Sequence, residues 1–155
     1  MILGFDNLDK DMTARCLMTY IMAVLEAVKP SAKADVFMSG GGSPKHLILA
    51  SRLNEITAIE TDYPFRLANQ GIALNLELVL KEIAPIMTIQ DPLVFADKLE
   101  EIYPDDRVDI KSIDAPLMSS CDCYCCKNYS QAYLSHLMEV KELNALILIA
   151  IHNAT

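Results

Sequence analysis

Short apolar runs alternate with helical patterns over the first 62 residues. The runs at residues 2–5 and 36–38 predict two buried strands, and the run at residues 56–62 predicts a third strand. Between the first two runs, apolar residues recur three and four positions apart, as on one face of a helix: Ala14, Leu17, Met18, Ile21, Met22, Leu25 and Val28. A second helix is predicted after Pro44. Strands that alternate with helices in this way predict βα units with a parallel sheet, and hence an α/β fold.

The pattern is less regular after Gly71. Residues 72–77 alternate in polarity like a strand, and residues 86–89 and 108–110 are candidates for two further short strands. A helix is predicted to begin at Asp91 and Pro92, because a capping carboxylate followed by proline is typical of a helix start.

Two helical patterns close the chain. The first covers residues 129–138, with Ser130 or Asn128 as the capping residue. The second covers residues 143–151 and is apolar on nearly every side, which predicts a buried helix.

Composition narrows the class of protein. A chain of 155 residues has room for one domain of ordinary size. Hydrophobic residues make up 52%, an excess that suggests surface intended for a partner or for missing parts of a larger fold. A net charge of −8 disfavours tight nonspecific binding of nucleic acid. No apolar run approaches the ~20 residues that span a bilayer, so no membrane span is predicted.

Four of the five cysteines fall within six residues. Cys121, Cys123 and Cys126 form a C-x-C-x-x-C pattern, and His152 stands alone after an apolar run. Three thiolates and one imidazole are the donors of a closed tetrahedral zinc site, and soft sulfur ligands favour Zn²⁺ over ions that prefer oxygen. The sequence therefore predicts one structural Zn²⁺ held by these four residues, with Cys125 outside the ligand set.

Other interpretations of the cysteines stay open. A disulfide framework would need strained bridges between near neighbours and an export signal, and no such signal is visible. A role as buried apolar residues is disfavoured by the polar Asp122 and Lys127 among them. An isolated histidine such as His152 is more often a core or surface residue than a ligand, and a redox role for the thiols is a minor alternative. We expect free thiols and a reducing compartment.

Two further features lie at predicted strand ends. Glycines 40–42 precede a helix, and such loops can hold phosphate, although the sequence favours a tight turn from strand to helix. Glu60 and Asp62 close the third strand, where α/β proteins place their chemistry, although exposed carboxylates there are more often solvated loop residues.

Together these motifs resemble the tRNA-guanine transglycosylase family. Residues 121–137, with the sequence CDCYCCKNYSQAYLSHL, are similar to the family's zinc segment, and His152 stands at the distance of its last ligand. Residues 37–44 resemble its strand–turn–helix element, and residues 59–71 resemble the strand that bears its catalytic nucleophile. The resemblance covers nearly the whole chain.

The resemblance implies the C-terminal portion of a TIM (β/α)8 barrel with a zinc-binding insertion subdomain. Residues 1–71 would hold the last three βα units, and residues 72–155 the zinc-binding subdomain and the start of the C-terminal helical region. We expect the chain to be a piece of a longer protein, because a barrel-type strand begins at residue 2 and the last helix lacks a C-terminal stop signal.

The nucleophile position departs from the catalytic pattern. Catalytic members have Asp-Cys where this chain has Glu60 and Thr61, and Asn69 replaces an arginine expected to contact RNA. A displacement of ~1 Å can cost ~100-fold in rate, so no catalytic residue is predicted. The glutamate and the form of the zinc segment are similar to the non-catalytic accessory subunits of eukaryotic queuine tRNA-ribosyltransferases.

The similarity to these accessory subunits implies a function and partners for the chain. We expect the protein to support exchange of guanine for queuine at the tRNA wobble position, by forming a heterodimer with a catalytic transglycosylase subunit and meeting tRNA through that complex. A homodimer, a cytoplasmic location and an association with the mitochondrial outer surface are further expectations. The alternatives are an active transglycosylase with Glu60 as nucleophile and a stand-alone structural zinc interaction module.

Overall fold

The computed structural model describes residues 2–4, 12–28, 35–40 and 42–155. These residues form two compact units, and each unit has its own apolar core. Unit 1 contains the described residues up to 62 together with residues 79–104, and unit 2 contains residues 63–78 and 105–155. The predicted division between residues 71 and 72 stays a prediction.

Unit 1 contains a parallel sheet of three strands, β1 (Ile2–Gly4), β2 (Val36–Ser39) and β3 (Ile56–Glu60), in that spatial order. Helix α1 (Ala14–Val28) connects the first two strands, and helix α2 (Pro44–Ala50) connects the second and third. The parallel pairing confirms the predicted βα units and the mixed α/β class. A sheet of three strands is not a barrel, and the partial TIM barrel stays a prediction.

Apolar periodicity places the core of unit 1. Helix α1 buries most of the face that was predicted from its spacing, but Met22 and Val28 are exposed. Helix α5 (Pro92–Ile102) packs against α1, and its buried residues are Phe95, Ala96 and Leu99. Asp91 caps α5, since its carboxylate accepts the N–H groups of Leu93 and Val94. On β2, Val36 and Met38 are fully buried.

The predicted strand over residues 72–77 is wrong beyond Leu74. Strand β4 covers Ile72–Leu74, and helix α4 (Leu76–Ile83) begins two residues later. The Asn75 side chain accepts the N–H of Leu78 over 2.9 Å, so it caps the helix. Leu76 belongs to this alternation, but it also begins a helical spacing with Val79 and Ile83. The cap decides between the two structures.

The strand candidate at residues 86–89 is also wrong. A short 3-10 helix (Ala84–Ile86) is followed by turns, in which Met87 N–H donates to Ala84 O and Ile89 N–H donates to Ile86 O. These local bonds occupy backbone groups that a neighbouring strand would need. Arg52 donates to the Ile89 carbonyl over 2.5 Å and places its guanidinium over the Phe95 ring.

Unit 2 combines a small sheet with four helices. Strand β4 pairs antiparallel with β5 (Arg107–Asp109). The helices are α3 (Tyr63–Ala68), α6 (Tyr124–Asn128), α7 (Gln131–Glu139) and α8 (Leu143–Asn153). Ser130 caps α7, which decides between the two capping candidates. Gln131 is buried and holds the preceding loop, because its side chain bonds the Lys111 N–H and the Pro116 carbonyl.

Helix α8 is less buried than its sequence predicts. Ala145, Leu148 and Ile149 lie in the core of unit 2. Leu143, Ile147 and Ile151, which we call the α8 stripe, are exposed by 66%, 46% and 37%. Helix α8 therefore has one apolar face in the core of unit 2 and another apolar face that is exposed to solvent. Across the described ranges, every helix is too short or too polar to span a bilayer.

Candidate metal centre

The cysteine segment folds into a short helical turn that brings sulfur atoms together. Cys123 caps helix α6, and its sulfur accepts the N–H of Cys126 over 3.3 Å. Residues three positions apart share one face of a helical turn, so Cys123 and Cys126 point the same way. Cys121 precedes the helix, and its N–H donates to the carbonyl of Met118 over 3.3 Å. The turn presents three sulfurs from one short stretch of chain.

Helix α8 supplies the fourth donor. His152 lies in its last turn with 5% of its surface exposed. Its Nδ1 is 3.6 Å from the sulfur of Cys121, 3.7 Å from that of Cys123 and 3.3 Å from that of Cys126. All four donor atoms lie within 4.8 Å of one another. The structure thus brings together the four residues that the sequence predicts as ligands.

The spacing of the donors fits a tetrahedral zinc ion. Zinc bonds of about 2.3 Å to sulfur and about 2.0 Å to nitrogen, at tetrahedral angles, separate a sulfur from a nitrogen by about 3.5 Å. The three sulfur–nitrogen distances in the structure, 3.3, 3.6 and 3.7 Å, lie around this value. Four donors of the right chemistry therefore surround a space of the size that Zn²⁺ needs.

The far side of the imidazole fixes which nitrogen faces the sulfurs. His152 Nε2 lies 2.9 Å from the carbonyl oxygen of Leu74. A carbonyl only accepts hydrogen bonds, so Nε2 carries the proton and the neutral ring directs the lone pair of Nδ1 toward the cysteines. A metal-binding histidine typically donates its other N–H in this way.

Asn153, beside the histidine, was given no role by the sequence and is 3% exposed. Its amide oxygen accepts the Leu74 N–H over 2.9 Å, and its amide nitrogen donates to the carbonyls of Ile72 and Pro64 over 3.0 and 3.1 Å. The sequence feature that could have identified Asn153 is an amide directly after the last predicted ligand, at the end of an apolar helix. Polar residues buried in such a place are hydrogen-bonded.

Burial shifts the pKa values of His152 and Cys126 in the direction that favours their neutral forms. It lowers the pKa of His152, against the opposing effect of the Leu74 carbonyl, so the ring is neutral at neutral pH. Burial raises the pKa of the Cys126 thiol to about 12; a hydrogen bond with the Met118 backbone lowers it, and the neighbouring Cys123 and Cys121 raise it. A cation would stabilise the thiolates that burial disfavours.

Cys125 lies outside the donor group, as predicted. It is fully buried in the core of unit 2, and burial followed by the charges of Cys123 and Cys121 raises its pKa to about 12. All five cysteines of the chain lie in the described ranges, and none forms a disulfide. The disulfide interpretation is therefore not supported.

Glu60 ends strand β3 and is exposed. It lies opposite Ser39 in the parallel register, and Asp62, two residues further on, is exposed as well. Thr61 is turned toward the glycine loop, where its hydroxyl donates to the Gly42 carbonyl over 3.1 Å. The structure thus gives the loop a packing reason for glycine, in agreement with the tight-turn interpretation.

Comparison with known proteins identifies a family whose members are similar to this chain. The sequence profile of a family described as queuine tRNA-ribosyltransferase matches residues 11–155. The accessory subunit 2 of this enzyme from Xenopus tropicalis is 30% identical over 88% of the chain, and that from Caenorhabditis briggsae is 30% identical over 75%. A queuine tRNA-ribosyltransferase from Staphylococcus aureus is 31% identical over 76% of the chain.

The chain spans only part of these relatives. It corresponds to 36% of the Xenopus protein, 27% of the Caenorhabditis protein and 24% of the Staphylococcus protein. The family profile nevertheless covers almost all of the chain, including the four donors and Glu60. The chain therefore belongs to the queuine tRNA-ribosyltransferase, or tRNA-guanine transglycosylase, family.

Proposed function

We propose that Cys121, Cys123, Cys126 and His152 hold one structural Zn²⁺. The observation that supports this most directly is the distance of His152 Nδ1 from the three sulfurs, which matches a tetrahedral ion. Four protein donors leave no open coordination position, and a closed site of this kind stabilises a fold rather than performing catalysis. The ion would join the α6 turn to the end of α8. In small modules such binding supplies about 10 kcal/mol or more of folding free energy.

Metal content tests the site. We expect one zinc per chain in the purified protein and none in Cys123→Ser, together with loss of folded structure in unit 2. Cys125→Ala is the matched control, because it removes a buried sulfur from the same turn without removing a ligand. That control should retain its zinc and lose about 1 kcal/mol of stability through the small cavity. A folded wild type without metal would contradict the proposal.

We infer further that the chain is part of a non-catalytic accessory subunit of a queuine tRNA-ribosyltransferase. The residue that supports this is Glu60, which stands where catalytic members carry aspartate. Its carboxylate is one methylene longer, and transition states depend on placement to within about 1 Å. The Xenopus and Caenorhabditis relatives, which are named accessory subunits, agree with this interpretation.

A partial TIM barrel is part of the same proposal. On β2, the buried Val36 and Met38 face the core that α1 builds, while Phe37 between them is 42% exposed. Alternate residues of a strand lie on opposite faces of the sheet, so Phe37 is on the uncovered face. In a closed barrel, further strands and the interior side chains would cover that face. Residues 1–71 would then be the last three βα units, followed by the zinc-binding subdomain.

The proposed partner is a catalytic transglycosylase subunit, and unit 2 offers surface for it. The α8 stripe is apolar and exposed, and Tyr124 and Tyr133 expose their rings beside the cysteine turn. Aromatic and aliphatic side chains of this kind are typical of the centre of a subunit interface. A homodimer through the same surface is an alternative, and tRNA would bind to the assembled complex.

The exchange reaction tests the accessory function. The complete protein should exchange no guanine in tRNA alone and should restore activity when it is combined with a catalytic subunit. Ile147→Lys in the α8 stripe should weaken co-purification with that subunit, whereas Glu139→Lys, at an exposed polar position of helix α7, should not. A covalent RNA adduct on Glu60 would instead establish the active transglycosylase. Failure to co-purify with any catalytic subunit would favour the stand-alone zinc module.

A further inference from the structure

His152 and Asn153 end helix α8 side by side, and both bond one edge of strand β4. His152 Nε2 donates to the Leu74 carbonyl over 2.9 Å, and the Leu74 N–H donates to the Asn153 oxygen over 2.9 Å. The amide nitrogen of Asn153 donates to the Ile72 carbonyl over 3.0 Å. Ile72 and Leu74 present their backbone groups to the same side, since successive strand residues alternate. The two side chains therefore cover the edge of β4 that lies away from β5.

The hydrogen bonds determine the orientation of the Asn153 amide. Its oxygen accepts the Leu74 N–H, and its nitrogen donates to the carbonyls of Ile72 and Pro64. A rotation of the amide by half a turn would set oxygen against two carbonyls and an NH₂ group against an N–H. Alanine at this position would remove the partner of the buried Leu74 N–H and of the partly buried Ile72 and Pro64 carbonyls. Aspartate would place a second oxygen against the two carbonyls.

We propose that Asn153 is the positioning residue of the metal centre. Its side chain fixes the position of the Leu74 backbone. The Leu74 carbonyl, held in this position, accepts the hydrogen bond from His152 Nε2, and Nδ1 of the ring therefore points to the sulfurs. The inference rests on the proposed zinc site. Retention of the metal then depends on the side-chain amide of Asn153, which is not a ligand and acts through the backbone of β4.

Zinc release is the first test. The variants are Asn153→Ala and Asn153→Asp in the full chain, with Asn144→Ala, an exposed asparagine of the same helix, as the control. We expect transfer of zinc to a chromophoric chelator to be about 10- to 100-fold faster in the Asn153 variants, the usual cost of removing a group that orients a ligand. The control should match the wild type. Folded Asn153 variants that release zinc at the wild-type rate would overturn the inference.

A spectroscopic test separates positioning from general stabilisation. With Co²⁺ in place of zinc, the visible absorption bands report the geometry around the ion. We expect these bands to change in Asn153→Ala and to stay unchanged in Asn144→Ala. If Asn153→Ala only lowers the melting temperature and leaves the Co²⁺ bands as in the wild type, Asn153 stabilises the fold without positioning the ligand, and the inference is wrong.

The wild type provides a test if neither Asn153 variant folds. In protein with ¹⁵N-labelled histidine and ¹¹³Cd²⁺ in the site, the metal should couple to Nδ1 of His152, and Nε2 should carry a slowly exchanging proton. Coupling to Nε2 would overturn the inference while leaving the metal site in place. A wild type that binds neither Zn²⁺ nor Cd²⁺ would instead refute the proposed zinc site itself.

Discussion

At the scale of single residues, Gly42 shows how a distant neighbour dictates a residue type. Its φ of +82° lies in the left-handed region, and a Cβ atom placed on it would collide with the Thr61 side chain. The Thr61 hydroxyl also donates to the Gly42 carbonyl. The glycine loop can approach the end of β3 only because residue 42 has no side chain.

We expect Gly42→Ala to lower the free energy of unfolding by about 2 kcal/mol, because it adds both backbone strain and a collision. Gly71→Ala is a matched control, with a φ of +71° but facing the flexible end of Met138. It should cost about 1 kcal/mol, the backbone part alone. Urea denaturation measures both. A Gly42→Ala variant as stable as the wild type would contradict the packing explanation.

The grouping of Cys121, Cys123, Cys126 and His152 could be predicted from sequence, whereas the role of Asn153 could not. Three cysteines at fixed spacing with a distant histidine carry their chemistry in the residue types themselves. An asparagine has many uses, and its role here depends on Leu74, which lies 79 residues earlier. Only the fold brings the two together.

At the scale of elements, Glu100 on α5 joins two helix starts. Its carboxylate accepts the N–H of Ala14, the first residue of α1, over 2.6 Å, and the ammonium of Lys45 in α2 over 3.2 Å. Partial burial opposes ionisation of Glu100, but the hydrogen bonds from Ala14 and Lys45 outweigh it, and the pKa lies below its ordinary value. A carboxylate at a helix N-terminus also complements the helix dipole.

This lowered pKa predicts a pH dependence. A depressed folded-state pKa adds stability above the unfolded pKa of Glu100, and this stability is lost as the pH falls through the folded value. We expect the loss of stability between about pH 6 and about pH 3 to be smaller in Glu100→Gln than in the wild type. Urea midpoints across this range measure it. Glu101→Gln, whose carboxylate pairs with the exposed Lys98, is the control. Equal acid sensitivity of wild type and Glu100→Gln would contradict the assignment.

Elements were predictable where one periodicity was long and unambiguous. Helix α1 repeats its apolar spacing over 15 residues, and the structure matches it. The segment from Ile72 to Ile83 was ambiguous, because Leu76 belongs both to the alternating run that starts at Ile72 and to a helical spacing that ends at Ile83. Asn75 decides for the helix there through its cap. Capping depends on local geometry that an apolar pattern does not contain.

At the scale of the whole molecule, the two units have separate cores, and all four metal donors lie in unit 2. We expect a chelator to abolish hydrogen-exchange protection in α7 and α8 while protection in α1 and α5 persists. The reason is that the core of unit 1 contains none of the donors. The same chelator saturated with zinc is the control. Equal loss of protection in α1 and α8 would show that the units unfold as one.

The division into units was beyond sequence analysis. Residues 79–104 return to unit 1 after residues 63–78 have contributed to unit 2. Local patterns identify helices and strands, but such an interleaved path is decided by contacts between residues far apart in the chain. The Asn153–Pro64 hydrogen bond, across 89 residues, is one of them.

The order of the donors along the chain has a consequence for biosynthesis. His152 follows Cys126 by 26 positions, so the ribosome makes the three thiols first and the imidazole later. At about 5 to 20 residues per second, the nascent cysteine turn waits roughly 1 to 5 s for its last ligand. Throughout that interval it can offer an ion at most three ligands of its own, and its sulfurs are open to oxidants. If the four donors bind Zn²⁺ as proposed, capture of the ion would therefore be completed only when α8 emerges.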